Sequence, residues 1–193
     1  MKKIFLIIVA SISLISCDSA KNTAINKKIS SEAVSIENIM LIDSNIVRKH
    51  LYTLASDEME GREPGTPGIE KAAAYIENEF KKNGLSLFGD LKSYRQTFTF
   101  KNRKTDEDIT SSNIIGVLEG RSKKEEYVII SAHYDHLGMK KSGEGDLIYN
   151  GANDDASGVT GVLALAAYFK EVGHERTIVF AAFTAEEMGL VGS

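Results

Sequence analysis

Tyr127-Val128-Ile129-Ile130, followed 47 positions later by Thr177-Ile178-Val179-Phe180-Ala181-Ala182-Phe183, decides the fold. Tyr127 to Ile130 is short, continuous and β-branched, the texture of a strand buried on both faces. Thr177 to Phe183 reads the same way. Between them, Val159 to Phe169 carries no charge across 11 positions. That is too short to span a bilayer and predicts a helix buried against a sheet. Strand, helix, strand is a crossover unit, which implies parallel pairing and a right-handed connection. Ligands in such sheets bind beyond the carboxyl ends of the strands. His133 lies just past one such end, Glu186 and Glu187 just past the other, and Asp154 just before the connecting helix. The topology therefore brings all three to one edge.

Outward from this unit, Tyr94 to Phe100 alternates as a half-exposed strand does, and Asn113 to Leu118 is a second apolar run. Upstream, Thr66 and Pro67 predict a helix start, Ala72, Ala73, Tyr75, Ile76 and Phe80 its core side, and Asn83-Gly84 its end. Before it, Gly61 to Gly68 packs three glycines and two prolines into eight positions, which reads as a solvated, turn-rich loop. An earlier helix is expected with Ser44 as its N-cap and Ile46, Val47, His50, Leu51 and Leu54 on one side. His50 there is a structural residue, and His174, in the polar turn Gly173 to Arg176, a surface one.

Apolar residues make up 42% of the 193 positions, enough for one packed domain. The net charge is −4, and −6 without Lys2 and Lys3. A mildly acidic body has no broad attraction for nucleic acid. One cysteine, Cys17, excludes an intrachain disulfide and a Cys-rich zinc site. It follows two lysines and an apolar run from Ile4 to about Ile15, the pattern of a secretory signal. Leu14, Ser16 and Cys17 resemble a bacterial lipoprotein signal, with Cys17 lipidated as the mature N-terminus. The expected organisation is a signal over residues 1–16, a flexible tether over 17–35 rich in Ser, Asn, Lys and Ala, and a catalytic-type domain over 36–193. Such a chain sits at the cell envelope, lipid-anchored to the membrane and facing outside the cytoplasm.

Neutral imidazole and carboxylate oxygen are the donors of a hydrolytic zinc site that lacks cysteine. Asp135, two residues after His133, can accept the other ring N–H and fix its tautomer. Asp154 can bridge two ions. Glu186 and Glu187, if extended, point to opposite sides, so that one can bind metal while the other handles protons. Each motif alone is more often structural: a solvated acidic face, a loop, a helix cap. All three at strand ends, in this order, reverse that preference.

Three segments then carry a specific resemblance: Ser131-Ala132-His133-Tyr134-Asp135-His136-Leu137-Gly138, Gly151 to Gly158, and Phe183-Thr184-Ala185-Glu186-Glu187-Met188-Gly189-Leu190. They resemble the consecutive signatures of the secreted di-zinc aminopeptidase family, which includes glutamate carboxypeptidases and glutaminyl cyclases. Glu60-Gly61-Arg62-Glu63-Pro64-Gly65-Thr66 and its following helix resemble that family's N-terminal region, so the likeness runs from about residue 45 to the end. It implies an α/β three-layer sandwich, with a mixed, mostly parallel central sheet flanked by helices. It also implies two zinc ions, with His133 on one, Glu187 on the other and Asp154 bridging, Glu186 as general acid/base, and Asp135 orienting His133. A cis peptide is expected at Asp154–Asp155. His136 receives no ligand role and is expected to serve loop structure. The implied activity is zinc-dependent removal of N-terminal residues from peptides. Alternatives are glutaminyl cyclisation, or a surface lipoprotein that keeps the fold for binding. The family completes its site with a further carboxylate and histidine, whereas this chain stops six residues after Glu187. The chain is accordingly expected to be an N-terminal portion, lacking the C-terminal part of the fold and inactive alone.

Overall fold

The computed structural model describes residues 42–193. The signal over 1–16, the tether over 17–35 and the lipidation site Cys17 lie outside the described residues. Among the described residues, no helix is long and apolar enough to cross a membrane.

Helix α1 (Ser44–Leu54) has its cap one residue earlier than expected. Asp43 is the N-cap, in an extended conformation, and its carboxylate accepts from the Asn45 N–H at 2.8 Å. Ser44 is already helical. The segment Asp57–Arg62 folds into short 3₁₀ turns, with Glu60, Gly61 and Arg62 all at positive φ. It is not the solvated loop that its composition suggests, because Met59, Gly61 and Arg62 are buried. Helix α2 (Pro67–Lys82) begins with Pro67 as expected, although the Thr66 hydroxyl donates to the Glu63 carbonyl rather than to the helix. Ile69, Ala72, Ala73, Ile76 and Phe80 face the core.

The strands are β1 (Ser86–Leu87), β2 (Arg95–Lys101), β3 (Asp108–Leu118), β4 (Lys123–His133) and, after helix α3 (Ser157–Val172), β5 (Arg176–Phe183). They form one sheet in the order β1-β3-β5-β4, with β2 also paired to β3. The crossover unit pairs in parallel, with Val128 opposite Ile178, Ile130 opposite Phe180 and His133 opposite Phe183. The other three pairings are antiparallel. The sheet is mixed, as expected, and most of its pairings among the described residues are antiparallel.

Ile114, Leu118, Ile178, Phe180 and Ala182 meet the apolar faces of α2 and α3 in one core. The opposite face gathers Ile115, Val179 and Ala181 with Val117 and Phe183, all of them strand residues. Among the described residues, then, helices flank the mixed sheet on one face, and the other face carries a smaller cluster of strand residues. The difference is sharpest on β4, which among the described strands is hydrogen-bonded only to β5. Tyr127 is 57% exposed and Ile129 66% exposed. An apolar run predicts a strand, but whether both its faces are covered depends on neighbours the run does not encode.

Candidate metal centre

The site is assembled where β4 and β5 end and α3 begins. His133 is the last residue of β4, directly opposite Phe183, the last of β5. Beyond it the chain is pinned by Tyr134, whose N–H donates to the Phe183 carbonyl and whose buried hydroxyl donates to the Ser112 carbonyl. Burial pushes that phenol well above its ordinary range, so it remains a donor at neutral pH.

Asp135, 0% exposed, organises the next contact. Its two carboxylate oxygens accept the backbone N–H groups of Glu186 and Glu187, each at 3.2 Å. The Glu pair therefore sits in a turn rather than the extended segment expected. Ala185 takes φ 60° just before it, and the Glu186 carbonyl accepts from the N–H groups of Gly189 and Leu190. The turn aims two main-chain donors at one buried carboxylate, which an extended strand could not do.

The same aspartate faces His133. The His133 Nδ1 lies 3.2 Å from the Asp135 carbonyl oxygen and 3.6 Å from its Oδ1. That leaves Nε2 turned outward, 2.9 Å from Asp154 Oδ1. Hydrogen bonding to Asp135 raises the His133 pKa to about 9 despite partial burial, with the charges of Asp155 and Glu186 adding to the effect. Asp154 itself is 62% exposed at its side chain and sits in an irregular turn, Ala152–Ala156, before α3. The peptide after it is cis, as the resemblance implied. Asp155 accepts the Gly158 N–H, in the first turn of α3, at 2.8 Å.

Two residues enter the site that sequence reasoning left out. His136 was assigned to loop structure, yet its Nδ1 lies 2.8 Å from Glu187 Oε1. Donor atoms of His136, Asp154 and Glu187 all lie within 4.8 Å of one another, a spacing that could hold a metal ion. Its position three residues after His133 is the signal that could have marked it. The second is Arg62, wholly buried behind the site and bonded to the loops on both sides of it. A cation between a glycine and a Glu-Pro-Gly turn looked like a surface residue. His50 is remote, on the buried side of α1, with its Nδ1 2.7 Å from the Tyr75 hydroxyl. His174 stays in its turn beside the Arg176 carbonyl.

The donor set fits zinc. It consists of two imidazoles and two carboxylates, with no thiol, in a half-open cluster backed by a buried carboxylate that fixes one ring. Beside it opens a cavity of about 390 Å³, bordered by Glu63, Pro64, Arg103, His136, Glu187 and Met188.

Residues 113–193, which contain every one of these donors, match peptidase family M28. Over that segment the chain is similar to the M28 peptidases. Aminopeptidase YwaD of Bacillus subtilis is 32% identical over 133 residues, which is 67% of this chain and 26% of that protein. Among solved structures, glutaminyl cyclase of Fimbriiglobus ruber superposes with a TM-score of 0.64 at 23% identity, over 79% of this chain and 51% of that one. A Zn-dependent exopeptidase from Parabacteroides distasonis does so with a TM-score of 0.58 at 19% identity, over 77% and 48%. At these identities the two structures establish the shared fold. The chain spans less than half the length of the curated relatives it matches. Arg62 lies upstream of the M28 match.

Proposed function

We propose that this chain carries the metal-binding portion of a zinc-dependent aminopeptidase. The observation that supports this most is the convergence of His133, Asp154, Glu187 and His136 around one opening, with Asp135 buried behind them. His133 and Asp154 would hold one ion and Glu187 the other, with Asp154 shared between them. Two zinc ions, when bound, would polarise the scissile carbonyl and lower the pKa of water. Asp135 keeps the His133 ring turned so that Nε2 faces the opening. Glu186 is half-buried at the same rim, and its carboxylate is near enough to raise the His133 pKa. It would take a proton from the attacking water and return it to the leaving amine.

We further assign the chain to the bacterial cell envelope, held by a lipid on Cys17, on the strength of the charged start, the apolar run and the cysteine that follows. Incorporation of a palmitate analogue that Cys17→Ala abolishes is the expected result, and equal labelling of both proteins would refute it.

The decisive experiment on the chemistry has two parts. Chelator-treated chain is titrated with zinc and its metal content measured after dialysis. Release of free amino acids is then followed on protein that also carries the further carboxylate and histidine implied by the family resemblance. Zinc-dependent release, abolished by Glu186→Ala, is expected. Pyroglutamate formation without amino-acid release would replace the peptidase reading with the cyclase one. Full turnover by the Glu186 variant would remove the proposed proton shuttle.

A further inference from the structure

Arg62 is the largest fully buried side chain among the described residues, at 0% exposure. Burying a guanidinium is expensive unless its donors are all engaged. Here four of its five N–H donors are engaged by four main-chain carbonyls drawn from three separate parts of the chain. Nε donates to Tyr134 O at 2.7 Å. Nη1 donates to Leu54 O at 2.5 Å and to Asn150 O at 2.6 Å. Nη2 donates to Gly151 O at 2.9 Å. Burial pushes its pKa down to about 10, which leaves it charged at neutral pH, and Asp135, Asp154 and Asp155 oppose the fall.

The positions of those carbonyls matter more than their number. Tyr134 lies between His133 and Asp135, and Gly151 opens the turn that contains Asp154. One rigid fork thus spans the two segments that deliver the facing donors His133 Nε2 and Asp154 Oδ1. The backbone around it adds further ties. The Arg62 carbonyl accepts the His136 N–H, and the Gly61 carbonyl accepts the Gly138 N–H. A Cβ on Gly61 would lie 2.1 Å from the Gly138 carbonyl oxygen, so this approach requires glycine. From the other side, the Asn150 side chain donates to Ala55 O and to Asp57 Oδ1. The Asp154 turn is therefore lashed twice to the segment 54–62, which itself supplies no metal donor.

We propose that Arg62 is a positioning residue for the metal centre, holding the His133–His136 segment and the Gly151–Asp154 turn at ligand spacing before an ion arrives. The inference rests on the zinc reading of His133, Asp154 and Glu187. A guanidinium that served only to fill the core would change stability without changing how well the folded protein binds metal. A positioning residue changes metal affinity as well, because a loosened Asp154 turn must be ordered by the ion itself.

The test uses Arg62→Lys, which keeps the charge but loses the fork, and Asn150→Ala, which loosens the same turn from its half-exposed side. Ile76→Val, in the core of α2 and away from the site, serves as a destabilised control. Zinc dissociation constants are measured by competition with a chromophoric chelator at a temperature where all proteins are folded by circular dichroism. Hydrogen exchange of amides 151–156 is followed in the metal-free proteins. The expected outcome is zinc binding weakened roughly tenfold or more in Arg62→Lys, within the range for groups that orient metal ligands. A smaller loss is expected in Asn150→Ala, with faster exchange of the turn in both. Ile76→Val should lower the melting temperature and leave the affinity within about twofold, since it lies outside the outer shell of the ligands.

Unchanged affinity and exchange in Arg62→Lys would overturn the inference, as would a loss no greater than that of the core control. Should Arg62→Lys fail to fold, Asn150→Ala decides, and unchanged exchange in its turn overturns the proposal. If the unaltered chain takes up no zinc, the metal reading fails separately. The exchange data then still show whether Arg62 positions the turn.

Discussion

Asp135 and Asp154 sit on either side of one histidine and could hardly be less alike. Asp135 is buried and spends both oxygens on the backbone of the Glu186-Glu187 turn while its other side faces His133 Nδ1. Asp154 is 62% exposed and meets only the outward Nε2 of the same ring. Identical side chains thus take opposite tasks, and the surroundings assign them. A carboxylate whose oxygens are consumed by main-chain donors is architecture. A carboxylate left open at a loop edge is free to bind a cation. The comparison also explains why the exposed member needs outside support: Asp135 is fixed by what it binds, whereas Asp154 is fixed by what holds its turn, Arg62 and Asn150.

The largest effect that would break this contrast concerns zinc. Asp154→Asn should weaken zinc binding by on the order of 100-fold or more, beyond the range for outer-shell partners. It should change the stability of the metal-free chain by no more than about 1 kcal/mol, the scale of an exposed charge pair. Titration of both proteins, with denaturation curves beside it, checks both halves. Next comes Asp135→Asn, which removes one acceptor from a buried cluster. It should cost about 2–3 kcal/mol in the metal-free chain and weaken zinc binding about 10- to 100-fold. If the two variants exchanged these profiles, the division of labour would be wrong.

A subtler difference lies in pH dependence. The folded His133 pKa, about 9, is raised above its ordinary 6.5, chiefly by Asp135. The folded state therefore holds the proton more tightly than the unfolded state. The resulting stability is fully present below pH 6.5 and is lost as the pH rises through about 9. Denaturant titrations of the metal-free chain across that window should show the decline. Asp135→Asn should flatten it, and Asp154→Asn should leave more of it in place.

How much of this could be read from residues follows the same division. The crossover unit was legible because periodicity and β-branching act locally, and β4, α3 and β5 lie where the apolar runs put them. That His133, Asp154, Glu186 and Glu187 fall at one edge was legible because the ends of parallel strands must lie together. What the runs could not express was coverage: Ile129 looks like a core residue and is exposed, because nothing in its own segment says what lies over it. Arg62 failed in the opposite direction. A cation among glycines and prolines suggests solvent, and its burial depends on four carbonyls up to 89 residues away. His136 was missed because the turn that brings Glu187 to it is built by Asp135, a tertiary contact between segments 51 and 52 residues apart.

The central claim is that His133, Asp154 and Glu187 form a zinc centre. X-ray absorption at the zinc edge of the loaded, dialysed chain tests it most directly. The account predicts retained zinc with a nitrogen and oxygen shell at about 2.0–2.2 Å, an imidazole contribution and no sulfur, lost in Asp154→Asn and in His133→Ala. Zinc that dialyses away, or a shell unchanged in both variants, would contradict it.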